Sequence, residues 1–144
     1  MGADFELTTL EAARAFFQGD RFAAGAGMEI AAADRGFARI RLELTSQHLN
    51  ARGFLMGGVP LAMADFACAV ASHYGAGAGR WVSADAHVSF LSACRGRVLI
   101  AEAVCLKEGR KLSFYEVGIQ DELGTPVAKA DFTMYATQSP TRLK

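Results

Sequence analysis

The chain has 144 residues, of which 51% are apolar and 21% charged, and its 15 basic and 15 acidic side chains cancel. That length suits one domain spanning residues 1–144, and the composition excludes a disordered or coiled-coil chain. A net charge of zero gives nothing to draw the protein to nucleic acid or to an anionic lipid surface, so neither is expected as a partner.

At the N-terminus, acids come early and no basic segment leads into an apolar block, so no secretory leader is expected. Thr9 to Gln18 predicts a short amphipathic helix. Thr9 can cap it, Leu10, Ala13, Phe16 and Phe17 form its apolar stripe, and Gly19 ends it. The period then changes from helix to strand. Met28 to Ala33 is a weak strand, "ADRG" a turn, and Gly36 to Thr45 a strand in which Ile40, Leu42 and Leu44 alternate with Arg39, Arg41 and Glu43.

The next apolar stretch, Gly53 to Ser72, approaches a membrane span in length. A central Asp65 costs about 2.5 to 3.5 kcal/mol on insertion scales, so a buried helix from about Gly58 to Tyr74 is expected instead. Its alanines favour helix and give it little girth. "GAGAG" (75–79) breaks it. Four strands then follow in succession as a meander, Trp81 to Leu91, Val98 to Lys107, Leu112 to Asp121 and Val127 to Thr137. "KEGRK" and "DELGT" are their Gly-containing turns. The order predicts an α+β fold, an antiparallel sheet covering one central helix.

Chemistry concentrates at the long helix. Asp65 has no basic residue within a helical turn or two, and mid-helix is a poor position for a cap. A lone buried carboxylate with a raised pKa is easier to understand as a reacting group than as a structural one. Gly57 and Gly58 serve a tight turn, and they also open the helix, where unpaired N–H groups and the positive end of the macrodipole can seat a carbonyl oxygen that becomes negative. Seven or eight residues separate them from Asp65, roughly 10 to 12 Å along the axis. One helix cannot bring both to a single reacting carbon, whereas two antiparallel copies can. A homodimer with shared sites is therefore expected.

Other constellations carry less. His48, His73 and His87 lack metal-ligand spacing, so no metal is expected, and Asp85 with His87 reads as an exposed pair. "GAGAG" follows a helix and lacks a nearby G-K-[ST], which removes a phosphate loop. Cys68, Cys94 and Cys105 are an odd number without C-x-x-C spacing, expected as reduced buried thiols in a cytoplasmic protein. The charge of Asp65 disfavours a thiolate at Cys68, and no G-x-S-x-G is present, so covalent cysteine or serine catalysis is not expected.

"HLNARGFLMGG" followed by "ADFACAVAS", "WVSADAHVSFLSACRG" and "LKEGRKLSFYEVGIQDELGTPVAKADFTMY" resembles the hotdog-fold acyl-CoA thioesterases of the PaaI-like, phenylacetate-pathway branch over roughly residues 28 to 137. That family's pattern is N-x-x-G-x-x-H-G-G, an acid seven residues on, and a Ser or Thr opening the next strand. Asn50, Gly53, Gly57, Gly58, Asp65 and Ser83 match it. Met56 stands where the family has histidine, and it cannot donate a hydrogen bond.

The resemblance implies a hotdog fold, a curved antiparallel sheet wrapped around a long helix, in a homodimer and often a dimer of dimers. It implies acyl-CoA as substrate, with no cofactor. The Gly57 amide would polarise the thioester carbonyl and Asp65 of the partner subunit would act as general base or nucleophile. Ser83 would help hold the attacking water, and Asn50 would shape the site. Read from the residues themselves, Phe54, Leu55, Met56, Met63 and Phe66 suggest an apolar pocket for the acyl group, whether aryl or medium-chain aliphatic, while Arg95, Arg97, Lys107, Arg110 and Lys111 either meet the CoA phosphates or form a solvated turn face. Two alternatives stand beside hydrolysis: a non-catalytic acyl-CoA-binding or sensing module, and an enoyl-thioester hydratase or dehydratase.

Overall fold

In the computed structural model, which describes residues 7–75 and 81–137, six antiparallel strands form one sheet around a central helix. Helix α1 (Leu10–Phe17) starts where expected, with the Thr9 hydroxyl accepting from the Ala12 N–H at 3.1 Å. Phe17 turns into the core, but Phe16 from the predicted stripe remains exposed. A second short helix, α2 (Arg21–Ala26), was not anticipated; it ends at Gly27, whose φ of 91° is a left-handed conformation that glycine adopts without strain.

Strands β1 (Glu29–Asp34) and β2 (Phe37–Glu43) form the predicted hairpin. Ala38, Ile40 and Leu42 face inward and Arg39, Arg41 and Glu43 outward, as a half-buried strand requires. A single 3-10 turn, Ser46–His48, leads toward the long helix α3 (Gly58–His73). The tip of "GAGAG" beyond Gly75 lies outside the described residues.

Alanine explains how the sheet closes on α3. Helix α3, on which Ala64, Ala67 and Ala71 are buried, packs chiefly on β2 and the next inner strand, β4 (Val98–Glu108), whose own buried positions include Ala101 and Ala103. Small side chains on both elements let the helix axis approach the strands closely, and the larger Met63, Phe66 and Val70 are buried in the same core.

The expected four-strand meander is corrected by the strand order. β4, β5 (Leu112–Asp121) and β6 (Pro126–Ala136) are consecutive neighbours, but β3 (Trp81–Phe90) pairs with β6 at the far edge, giving β1-β2-β4-β5-β6-β3. The chain leaving β3 must therefore cross beneath β6 and β5 to enter β4. Two acids at the β5–β6 turn catch it there. Oδ2 of Asp121 accepts from the N–H groups of Arg95 and Gly96, both at 2.9 Å, and the Glu122 carboxylate accepts from those of Arg97 and Val98, each at 2.8 Å. The other Asp121 oxygen closes its own turn, accepting from Leu123 and Thr125.

Burial opposes the charge on Asp121, but the N–H groups of Arg95, Thr125 and Gly96 outweigh it and hold its carboxyl far below the ordinary carboxylate range. The cysteines also depart from expectation. All three are free thiols, but Cys94 and Cys105 are only half-buried, on the crossing loop and on β4 respectively, and Cys68 alone is fully enclosed.

Candidate active site

The structure divides the predicted residues into two groups. Asp65 and Ser83 form the first: the Ser83 hydroxyl donates to Asp65 Oδ1 at 2.6 Å. This bond joins the middle of α3 to the start of the edge strand β3, leaving the second carboxylate oxygen free of side-chain partners among the described residues. It also commits the only proton of the hydroxyl, so Ser83 can meet a water only as an acceptor.

The expectation that Asp65 is buried is corrected: within one chain it is exposed. The sheet covers the Met63, Ala64, Ala67 and Ala71 side of α3. The opposite stripe is less covered among the described residues: Gly58 and Asp65 are exposed, and Ala62 and Ala69 are half-buried.

Gly57 belongs to the second group. It caps α3 with φ −59° and ψ −26°, and among the described residues neither its N–H nor that of Gly58 has a hydrogen-bond acceptor. Pro60, three residues in, has no N–H to satisfy. The helix start thus presents donors together with the positive end of its dipole.

The segment that delivers the chain to this point is built by Asn50 and His48. Asn50 Oδ1 accepts from the N–H groups of Arg52 (2.9 Å) and Phe54 (3.1 Å), while Gly53 turns at φ 84°. Asn50 therefore shapes the approach to the helix through the loop backbone. His48 is buried. Its Nδ1 accepts from the Thr45 N–H at 2.9 Å, which places the ring proton on Nε2, donated to the Ala26 carbonyl at 2.7 Å. Its own carbonyl accepts from the Met56 N–H.

Gly57, Phe54 and Leu55 line a cavity of about 560 Å³ between this loop, the end of β3 and the crossing loop. Asp65 and Ser83 are not among its walls. Met56 is exposed at the helix entrance, and Gly58 with it. Met63 and Phe66, expected to offer apolar surface to a ligand, are instead packed in the core and do not reach this cavity.

Sequence reasoning missed three residues here. Asp20, at the start of α2, is pushed upward by burial and then by the charge of Asp65, so two acids sense one another at this surface. Phe90 lies over Gly57, and Asp121 secures the loop that forms the cavity's far wall. Only Asp121 had a local signal, an acid opening a turn with glycine three residues on.

Two other chemistries find no support. Burial, followed by the charges of Asp65 and Cys105, pushes the Cys68 thiol far up, which disfavours a nucleophilic thiolate. Among the described residues no three His, Cys, Asp or Glu side chains are grouped to hold a metal, and no helix is long and apolar enough to cross a membrane.

Comparison with known proteins places this geometry in a family. Residues 52–128 match the model of the thioesterase superfamily. A protein of Deinococcus radiodurans described as "Putative esterase" is 32% identical over 120 residues, covering 83% of this chain and 80% of that one. A variant of the phenylacetic acid degradation protein PaaI from Thermus thermophilus superposes with a TM-score of 0.75 at 26% identity, covering 82% of this chain and 100% of that one. A Streptococcus mutans protein bound to acetyl CoA shares the fold, with a TM-score of 0.71 at 23% identity over 80% of this chain and 92% of that one.

Proposed function

The chain belongs to the thioesterase superfamily, and on that premise we propose that it hydrolyses acyl-CoA thioesters at sites shared between two copies of itself. The observation that carries this reading is the separation of unclaimed amides at the half-buried Gly57 and the exposed Gly58 from the exposed, Ser83-held carboxylate of Asp65, neither group complete alone. The acetyl CoA in the Streptococcus mutans relative supports the choice of thioester.

Dimerisation has a surface available. Among the described residues β3, ten residues long, pairs with β6 on one side only, and six consecutive residues, Val82 to His87, are exposed. Such an edge requires a partner or protection. Antiparallel pairing of two β3 strands about a two-fold axis would continue the sheet and set the uncovered stripes of α3 side by side.

In the proposed reaction the thioester carbonyl accepts a hydrogen bond from the Gly57 N–H. Asp65 of the partner subunit takes a proton from water, whose oxygen adds to the carbonyl carbon. The resulting oxyanion rests on the helix start, and its collapse breaks the carbon–sulfur bond and releases CoA thiolate and the free acid. Direct attack by the carboxylate gives the same products through an anhydride. Water must then open that anhydride; when it adds at the Asp65 carbon, the solvent oxygen stays in Asp65 and the first-turnover acid carries none, so single-turnover hydrolysis in heavy-oxygen water separates this route from activation of water, which labels the acid at once.

The test is a panel of acyl-CoAs with a thiol-trapping reagent. CoA thiol should appear in proportion to enzyme and saturate with substrate; saturable binding with no thiol released would mark a binding module instead. Met56 gives a second expected result. It is 55% exposed beside the helix start and offers no donor. Met56→His should therefore change the rate or the acyl preference, and superimposable kinetics across the panel would show the position to be irrelevant.

A further inference from the structure

We infer that Phe90 is a specificity-determining residue, its ring limiting the length of acyl chain that the cavity at Gly57 admits; this rests on the thioester reading above. The cavity's volume falls within the range of small-molecule sites. The side chains on its walls are mainly hydrocarbon, from Leu44, Leu49, Leu55, Pro60, Leu91 and Val127, and backbone polar groups of the crossing loop and of Gly53 and Gly57 complete the lining. The polar side chains are Ser92 and Cys94, and the Cys94 thiol already faces the Gly96 carbonyl and Asp121.

This lining selects between the two arms of the substrate. The carrier arm of CoA contains amides that would leave water for a wall offering only two polar side chains, Ser92 and Cys94, whereas a hydrocarbon acyl chain gives up nothing on entering and gains from the leucines, proline and valine. The acyl group is therefore the occupant.

Phe90 controls its way in. A methyl group built on Gly57 would stand 3.1 Å from Phe90 Cζ and 3.2 Å from Cε1, so the ring lies against the glycine with no room between them. Yet the ring is 61% exposed. Within the single chain it is a side chain laid across the helix start and not part of the core, so changing it leaves the fold of one chain intact. A thioester seated on the Gly57 amide must send its acyl chain past that ring, so short chains stop before it and long ones must displace it.

The experiment measures the affinity of non-hydrolysable S-alkyl-CoA thioethers, one with a butyl and one with a decyl chain, for wild type, Phe90→Ala and Phe90→Leu by titration calorimetry. Melting and sedimentation confirm fold and assembly. In Phe90→Ala the preference for decyl over butyl should rise by about fivefold or more, a modest demand on a change of several methylenes in an apolar site. A smaller change, or wild type that binds neither thioether, overturns the inference. Phe90→Leu answers by the same criterion should melting show the alanine variant unfolded. Thiol release is scored separately: a protein whose decyl preference shifts but which hydrolyses nothing keeps Phe90 in this role and loses the hydrolase reading, and the converse holds for a hydrolase with an unmoved preference.

Discussion

Asp65→Asn should lower kcat by at least about a hundredfold, the scale of losing a general base. Asparagine keeps the size of the side chain and an oxygen for the Ser83 hydroxyl to bond, so geometry survives while basicity is lost. Because Asp65 is exposed in the single chain, folding should be unaffected, and equal melting temperatures would establish that the loss is chemical. A variant turning over acyl-CoAs at near wild-type rates would refute the assignment.

The sharing of the site between copies can be read from the same variant. Gly57→Pro removes the amide hydrogen at a residue whose φ of −59° already suits proline, with the exposed Phe90 ring able to move aside. Each variant alone should be inactive. In randomly reassociated mixtures half the dimers are mixed, and each mixed dimer pairs an intact Gly57 with an intact Asp65 at one of its two sites, so about a quarter of wild-type activity should return. Sites built within one chain would recover none.

The second large effect concerns stability. Asp121→Ala strips the acceptor from four N–H groups, those of Arg95, Gly96, Leu123 and Thr125, around a residue with 0% exposure. With part of the loss recovered by water at the turn, about 3 kcal/mol should go, or about 6 to 12 °C in Tm. The pH dependence has a definite sign. Asp121 titrates lower in the folded chain than the 3.8 of an ordinary aspartate, so the unfolded chain binds its proton more readily. The stabilisation is fully present above 3.8 and is withdrawn as pH falls from there toward the folded value. Wild-type and variant melting temperatures should therefore converge in acid. A Tm difference that is the same at neutral pH and in strong acid would show that the carboxylate charge has no part in it.

Much of this molecule was legible in its residues. Alternation in β2 and the alanine-rich run of α3 are local patterns, and their boundaries fell within a residue or two of expectation. The position of β3 was not legible, because it depends on four bonds from the acids of one turn to backbone N–H groups of a segment more than twenty residues away. Nothing in the spacing of "SACRGR" distinguishes a hairpin from a crossing.

The site shows the same division. Asp65 stood out because it was the only acid in an apolar helix, and Gly57 because it opens that helix. Phe90 gave no signal, since its contact with Gly57 spans thirty-three positions of chain and arises only when the strand end folds over the helix start. The exposure of Asp65 could not be read from an apolar neighbourhood, which records what surrounds a residue in sequence and not which face of the helix the sheet leaves open.

The crossing between β3 and β4 also constrains how the chain can assemble during synthesis. β4 lies between β2 and β5, and the loop that carries it there is anchored by Asp121 and Glu122, which leave the ribosome after the strand they position. While those acids are still inside the exit tunnel, the nascent chain has the first hairpin and α3 but no latch for the crossing. The sheet is therefore completed only after β6 has emerged, and a ribosome-bound chain stopped short of Thr125 should be digested by protease where the released chain resists.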